Sequence, residues 1–277
     1  MQDAFAHCEG LVRAADKDRF LSTLFAPAEH RNALLSLYAF NLEIARVREV
    51  AQEALAGEIR LQWWSDALAG RAEGHPVAVA LLATITRYQL PPERFQTLLD
   101  ARRFDLYDEP MRTLADLEAY AEGVSAGLIA LAAGILAGGI DTGVLTRHVG
   151  LAHAIAGLLA AFPIHAARGQ LFVPLEILAR HGATREHVAG RQATPQLRAA
   201  LAELRAHGRR HLREAQRLLA AAPAAIMPAL LPVALAGPTL ARMERRGYDP
   251  FTPFEIAGWR RQLRVWRAAK WPHRMFA

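Results

Sequence analysis

Residues 33–50, ALLSLYAFNLEIARVREV, decide how the rest of the chain is read. Tyr38, Leu42, Ala45 and Glu49 recur at spacings of four, three and four, so they share one face of an α-helix. The leucines, alanines and Phe40 around them predict that this face points inward. A core-facing stripe should be dry, yet this one holds Tyr38 and Glu49, with Arg46 beside them. Polar groups at such positions need partners, so the helix is expected to line a site or to carry a paired network.

Working outward, residues 3–26 predict one or two short helices with Phe20, Leu21, Leu24 and Phe25 as their apolar residues. Pro27 opens the central helix, where a proline is tolerated in the first turn. On the other side, Gly57 predicts a break before a helix over 59–68, IRLQWWSDAL, with Leu61, Trp64 and Leu68 on one face. Helices follow over 76–88, from Pro91-Pro92 to about 108, over 114–138 and over 144–163. Within 114–138 the small residues Gly123, Ser125, Ala126 and Gly127 let another helix or a ligand approach the backbone. No stretch alternates with period two for long enough to make a strand. The fold class is all-α, and no Ser-, Gly- or Pro-rich linker divides residues 1–277, so one helical domain is expected.

The single cysteine, Cys8, leaves no intrachain disulfide and fits a reducing compartment. The opening MQDAFAHCEG carries Asp3 and Glu9 without a charged-then-apolar pattern, so neither export nor an organellar transit peptide is expected. The formal net charge of +6 permits binding to nucleic acid or to an anionic membrane. Where the charge sits decides between them. From Arg245 onward eight Lys and Arg residues stand against Asp249 and Glu255, interleaved with Trp259, Trp266 and Trp271. On a helix starting near Pro253, Trp259, Leu263 and Trp266 form an apolar stripe with Arg260, Arg261, Arg264 and Arg267 around it. Such a helix packs its stripe on the domain and leaves the arginines in water, or it lies on a membrane through Trp259, Arg260, Arg264, Trp266 and Arg267. No nucleic-acid reader motif accompanies these residues, so no nucleic-acid partner is expected.

Residues 218–241 carry no formal charge and match the roughly twenty-residue length of a membrane span. Pro223, Pro228, Pro232 and Pro238 would remove backbone bonds that lipid cannot replace, so broken, buried helices are expected there. Residues 149–164 are too short for a span, end at Pro163 and are expected to be a core helix. His207 and His211 lie one turn apart, but no third ligand is near in sequence and Arg209 and Arg210 stand between them. A solvated face and no metal site are expected. Asp105, Asp108 and Glu109 are expected to be surface charge. There is no Gly-rich phosphate loop, nucleophile elbow or dinucleotide fingerprint.

Several motifs resemble the squalene/phytoene synthase family of head-to-head prenyl transferases: YAF at 38–40, RGQLFVP at 168–174 and RRGYDPF at 245–251. The resemblance spans essentially the whole chain and implies an isoprenoid-synthase-like helical bundle around a central cavity. In that family the tyrosine is followed, seven, eight and eleven residues on, by acids that hold magnesium against a prenyl diphosphate. Here those places carry Ala45, Arg46 and Glu49. The second set, which the family fills with an Asn and two Asp and a further acid before the last, counted back from Arg168 and Gly169, falls here on Gly157, Ala161 and His165, with Ile164 beside the last. Tyr120, four residues before Val124, matches a tyrosine that lines the family's cavity.

Ionising an allylic diphosphate requires its charge to be neutralised as the C–O bond breaks, which the family does with carboxylate-held magnesium. Magnesium demands octahedral oxygen ligation, and alanine, arginine and imidazole serve it poorly. The resemblance, with its acids missing, implies a scaffold that has outlived its chemistry, with no cofactor. Arg46, Glu49 and His165 are then expected to form a buried salt-bridged network. The sharper reading is that Arg46, His165 and Arg168 make the cavity cationic and bind a diphosphate or lipid head group directly.

GEIRLQWW at 57–64 and NLEIARVRE at 41–49 further resemble the family's respiratory complex I assembly-factor branch. That branch implies a cytoplasmic or matrix-side protein peripheral to the inner membrane, with complex I subunits as partners. Two other classes stay open: a prenyl transferase with an altered, Mg²⁺-dependent site, and a carrier of an isoprenoid or quinone-like lipid.

Overall fold

The computed structural model describes residues 1–51, 53–71, 74–138, 140 and 142–276, and among them there are helices and turns but no strand. Helices α1 (Gln2–Ala15) and α2 (Lys17–Thr23) are separated by Asp16, whose carboxylate caps α2 by accepting from the Arg19 N–H at 3.0 Å. Helix α3 (Ala28–Ala45) follows Pro27. It does not run on to residue 50. Arg46 relaxes to φ −87°, ψ −3°, and a separate turn, α4 (Val47–Val50), comes next. Of its two β-branched valines only Val47 is buried, so no apolar stripe continues the face that Tyr38 begins.

Gly57 lies inside α5 (Ala54–Leu68) rather than breaking the chain before it. Packing calls for the glycine, because a Cβ there would run into the Leu106 side chain. Next come α6 (Pro76–Tyr88) and α7 (Pro92–Arg103), the latter ending in a 3₁₀ turn at Phe104–Leu106. Helix α8 (Leu114–Ala121) opens on a reciprocal Thr113/Asp116 capping box and passes through a π turn, Glu122–Ala126, into α9 (Gly127–Ala137). The small residues here admit neighbouring helices. A Cβ on Gly123 would lie 2.5 Å from that of Ala101 on α7, and one at Gly150 would lie within 2.5 Å of the Ala126 backbone nitrogen.

Gly150 belongs to α10 (Gly143–Ala160), which turns at Ala161 into α11 (Phe162–Ala167) and leads to α12 (Leu175–Arg180) and α13 (Arg185–Ala189). The long α14 (Pro195–Leu219) is capped by Thr194 and packs along α10. The proline-rich stretch is broken as expected. It forms a 3₁₀ turn (Ala224–Ile226), α15 (Met227–Leu230), a second 3₁₀ turn (Leu231–Leu235) and α16 (Ala236–Arg242). The last α-helix is α17 (Gly258–Lys270).

Two apolar clusters make most of the core. One surrounds Phe40, Phe95 and Leu98, the other Ile155, Leu204 and Leu230, each side chain contributing about 1.5–3 kcal/mol of transfer free energy when fully buried. The runs Leu114–Ala137, Gly143–Ala160 and Ala224–Arg242 are long and apolar enough to cross a membrane. Of their apolar windows 72%, 56% and 61% are buried, so most of that surface is already covered by protein.

Helix α17 departs most from expectation. It starts at Gly258 rather than near Pro253, and its buried residues are Val265 and Ala268. Trp259, Leu263 and Trp266 are 62%, 45% and 46% exposed. Of the two placements open to this stripe, the one that covers the core is not met, because these side chains face outward.

Candidate functional site

The positions matching the family's two acidic motifs come from the ends of α3 and α10. Tyr38 is buried, with the Arg19 guanidinium 5.6 Å over its ring. Leu42 and Ala45 are partly buried, whereas Arg46 and Glu49 are exposed because the helix has ended. Glu49 Oε1 meets Arg168 Nη1 at 3.8 Å, and both side chains are about half exposed. The expected buried network of Arg46, Glu49 and His165 is therefore not formed. Arg46 opens instead onto a hollow of about 460 Å³ lined by Glu43, Arg60, Trp63, Trp64 and His75. Neither His165 nor Arg168 lines that hollow, so the cationic trio of Arg46, His165 and Arg168 does not converge either.

Among the seven motif positions Glu49 is the one carboxylate, and an arginine engages it. This donor set does not fit magnesium, which takes several oxygen ligands in near-octahedral array.

Behind Tyr38 the interior is occupied by charge pairs. Arg19 Nη1 donates to Asp16 Oδ2 at 2.5 Å, with both side chains under one-fifth exposed. Burial opposes the Asp16 charge, yet Arg19 holds its carboxyl below the ordinary value. Nearby His153, on α10, is driven down to about 4 by burial, with Arg19 pushing the same way and Asp16 opposing. His153 and Gly157 line a hollow of about 220 Å³ with Asp18, Leu235 and Arg261. That is below the roughly 300–1,000 Å³ of pockets that enclose drug-sized ligands.

Tyr120 belongs to a third, small cluster with Met111, Val124 and Phe172. Its hydroxyl donates to Asp105 Oδ1 at 2.7 Å, and Arg102 Nη1 donates to Asp105 Oδ2 at 3.0 Å. Asp105 is thus a paired, 13% exposed carboxylate and not surface charge, because α7 turns inward at Phe104. His165 packs against Phe172 with ring centres 4.6 Å apart and planes tilted by 48°. Burial holds its imidazole below the ordinary pKa, with Asp105 pulling up and Arg168 pushing down. Ala161 forms the bend between α10 and α11 and offers no ligand.

The basic tail makes a second feature. A cavity of about 350 Å³ between α16, residues 254–257 and α17 is lined by Arg242, Arg245, Arg260, Arg264 and Arg267, with Glu255 as its acid. Apolar walls come from Leu235, Pro238, Phe254, Ile256 and Leu263. Arg261 pairs with Asp18 and so ties α17 to α2. Arg264 donates to the carbonyls of Ala234 and Met275 at 3.2 Å each, so it anchors the helix and contributes less to the outer face than its position predicts. Trp259, Arg260, Trp266 and Arg267 are exposed.

Sequence reasoning missed a third feature. His207 and His211 are buried rather than solvated, each 6% exposed, and they converge on Glu118 of α8. The signal was present: Leu197, Leu201, Leu204, Gly208, Leu212 and Ala215 place both histidines on the apolar face of α14.

Known proteins match this arrangement along most of its length. Human NADH dehydrogenase (ubiquinone) complex I, assembly factor 6, is 29% identical over 252 residues, spanning 89% of this chain and 76% of the human protein. The crystal structure of squalene synthase HpnC from Alicyclobacillus acidocaldarius superposes with a TM-score of 0.79 at 27% identity, covering 90% of this chain and 96% of that one. A dehydrosqualene synthase structure superposes with a TM-score of 0.85 at 20% identity, covering 97% and 96%, and shows the same fold. The sequence pattern of squalene/phytoene synthase matches residues 12–267, and the chain belongs to that family.

Proposed function

We propose that this chain keeps the family's helical scaffold without its magnesium-dependent diphosphate chemistry, and that it acts at the membrane in assembling respiratory complex I. The observation that carries the reading is the Glu49–Arg168 pair, which engages the sole carboxylate at the six positions where the resemblance expects acids. With no cluster of carboxylates, nothing neutralises a departing diphosphate in the family's manner. The relatives named complex I assembly factor 6 support the role, since they align over most of both chains.

Membrane attachment is supported by α17. Exposed Trp259 and Trp266 are flanked by Arg260 and Arg267, and five arginines line the adjoining cavity. Aromatic rings at the headgroup level with arginines on anionic phosphates form the standard arrangement of an interfacial helix. The competing reading, an active head-to-head prenyl transferase with an altered metal site, has the fold in its favour and the donor set against it.

The test is genetic and biochemical. Deleting the gene in its own host should lower the amount of assembled complex I, and the tagged chain should co-purify with unassembled complex I subunits. Unchanged complex I in the deletion strain, with prenyl-derived lipids missing instead, would transfer the case to the transferase.

A further inference from the structure

We propose that Glu118, His207 and His211 form a binding site for a transition-metal ion of the zinc class. Helix α14 presents His207 and His211 one turn apart on its buried face, and α8 brings Glu118 against them from 89 residues away. His207 Nε2 lies 2.7 Å from Glu118 Oε1, His211 Nε2 lies 3.1 Å from His207 Nε2, and His211 Nε2 lies 3.6 Å from Glu118 Oε1. The three potential ligand atoms thus form one small triangle. Tetrahedral zinc, with nitrogen and oxygen at about 2.0–2.2 Å, spaces its ligands about 3.4 Å apart, so each side of the triangle needs a shift of no more than about 0.7 Å.

Neighbouring side chains orient two of the three ligands. His148 Nδ1 on α10 lies 2.9 Å from His211 Nδ1. With the proton on His211 Nδ1 and His148 accepting it, the His211 Nε2 lone pair points at the triangle, as a ligating imidazole requires. The other Glu118 oxygen accepts from Arg147 Nη2 at 3.1 Å, and Arg147 Nε donates to Glu122 at 2.6 Å, which fixes the carboxylate. Without metal, His207 Nε2–H is shared between Glu118 Oε1 at 2.7 Å and His211 Nε2 at 3.1 Å. Arg210 lies against His207 Nδ1 in this state and is exposed, so it is free to turn away when His207 ligates through Nε2 and carries its proton on Nδ1. That proton stays on the ring as the tautomer changes, and metal replaces the Nε2 hydrogen.

Two imidazoles and one carboxylate suit zinc and its borderline neighbours, not magnesium. The charge of Arg147 is offset by Glu118 and Glu122, which it contacts directly. Three protein ligands leave a fourth position for water, and the Glu118 side chain, 24% exposed, gives access from solvent. The site uses none of the family's motif positions, and it clips α8 to α14 with α10 behind.

The test uses the full-length chain without a histidine tag. After exhaustive chelation and dialysis, titration with Zn²⁺ should load one ion per chain and raise the melting temperature. Titration with Co²⁺ should give the intense visible absorption of tetrahedral cobalt. His211→Asn and Glu118→Gln should abolish the cobalt spectrum while keeping the helical circular dichroism. His148→Phe, which leaves all three ligands, should weaken zinc binding about 10–100-fold. Absent loading, or loading unaltered in these variants, overturns the proposal and leaves a hydrogen-bonded histidine cluster. If the ligand variants fail to fold, the cobalt spectrum of the natural chain and the His148→Phe affinity decide on their own.

Discussion

Glu49 and Arg168 face each other at 3.8 Å across the gap between α4 and the end of α11, where the family's resemblance expects magnesium between carboxylates. The pair is half exposed, so water screens it and its contribution to stability is small. A double-mutant cycle of Glu49→Gln and Arg168→Gln in urea should return a coupling of about 0.2–1 kcal/mol. A coupling of several kcal/mol would contradict the exposed geometry.

Two glycines should respond differently to alanine. At Gly150 a Cβ would press on the Ala126 backbone, which cannot move without shifting the π turn, whereas at Gly57 it would meet only the tip of Leu106. Gly150→Ala should destabilise by about 3 kcal/mol or more and Gly57→Ala by about 1–2 kcal/mol, read from urea midpoints. The reverse order would refute this account of the contact between the π turn and α10.

Acid should unfold the protein partly through His153. Its folded-state pKa lies at about 4, below the ordinary 6.5, so the unfolded chain binds a proton that the folded chain refuses. The stability it contributes is complete above pH 6.5 and is lost as pH falls from 6.5 to 4, at a slope of up to about 1.4 kcal/mol per unit. His153→Asn should flatten the stability profile within that window and leave it unchanged above pH 7. An unchanged slope would place the titration elsewhere.

Helix α17 should bind anionic vesicles and ignore zwitterionic ones. Arg260→Gln with Arg267→Gln should weaken binding at low salt by about 2 kcal/mol, roughly 30-fold, at about 1 kcal/mol per charge near the surface. Trp259→Ser should weaken it without changing the melting temperature, because that ring is 62% exposed. Equal binding to both vesicle types would remove the electrostatic part of the argument.

The helical fold was legible because its cues are local. Prolines at 27, 76 and 92, the small residues at 123–127 and the apolar periodicity each act within one or two turns. What the sequence obscured depends on contacts between distant elements. Gly57 reads as a breaker until Leu106 is placed against it. The solvated appearance of His207 and His211 came from their arginine neighbours, while Glu118, the partner that justifies burying them, lies on another helix. The direction of the Trp259, Leu263 and Trp266 stripe stayed open because periodicity shows that residues share a face but not which way the face turns. For the site, the missing acids were visible directly, but the Glu49–Arg168 pairing was not, since it required α3 to end at Ala45.

The most direct measurement is incubation of the pure chain with farnesyl and geranylgeranyl diphosphate, Mg²⁺ or Mn²⁺ and NADPH, following diphosphate release and extracting the lipids. The account predicts release no faster than from boiled protein and no squalene or phytoene product. Release well above that control, abolished by EDTA, would contradict it and require a magnesium site built without the expected carboxylates.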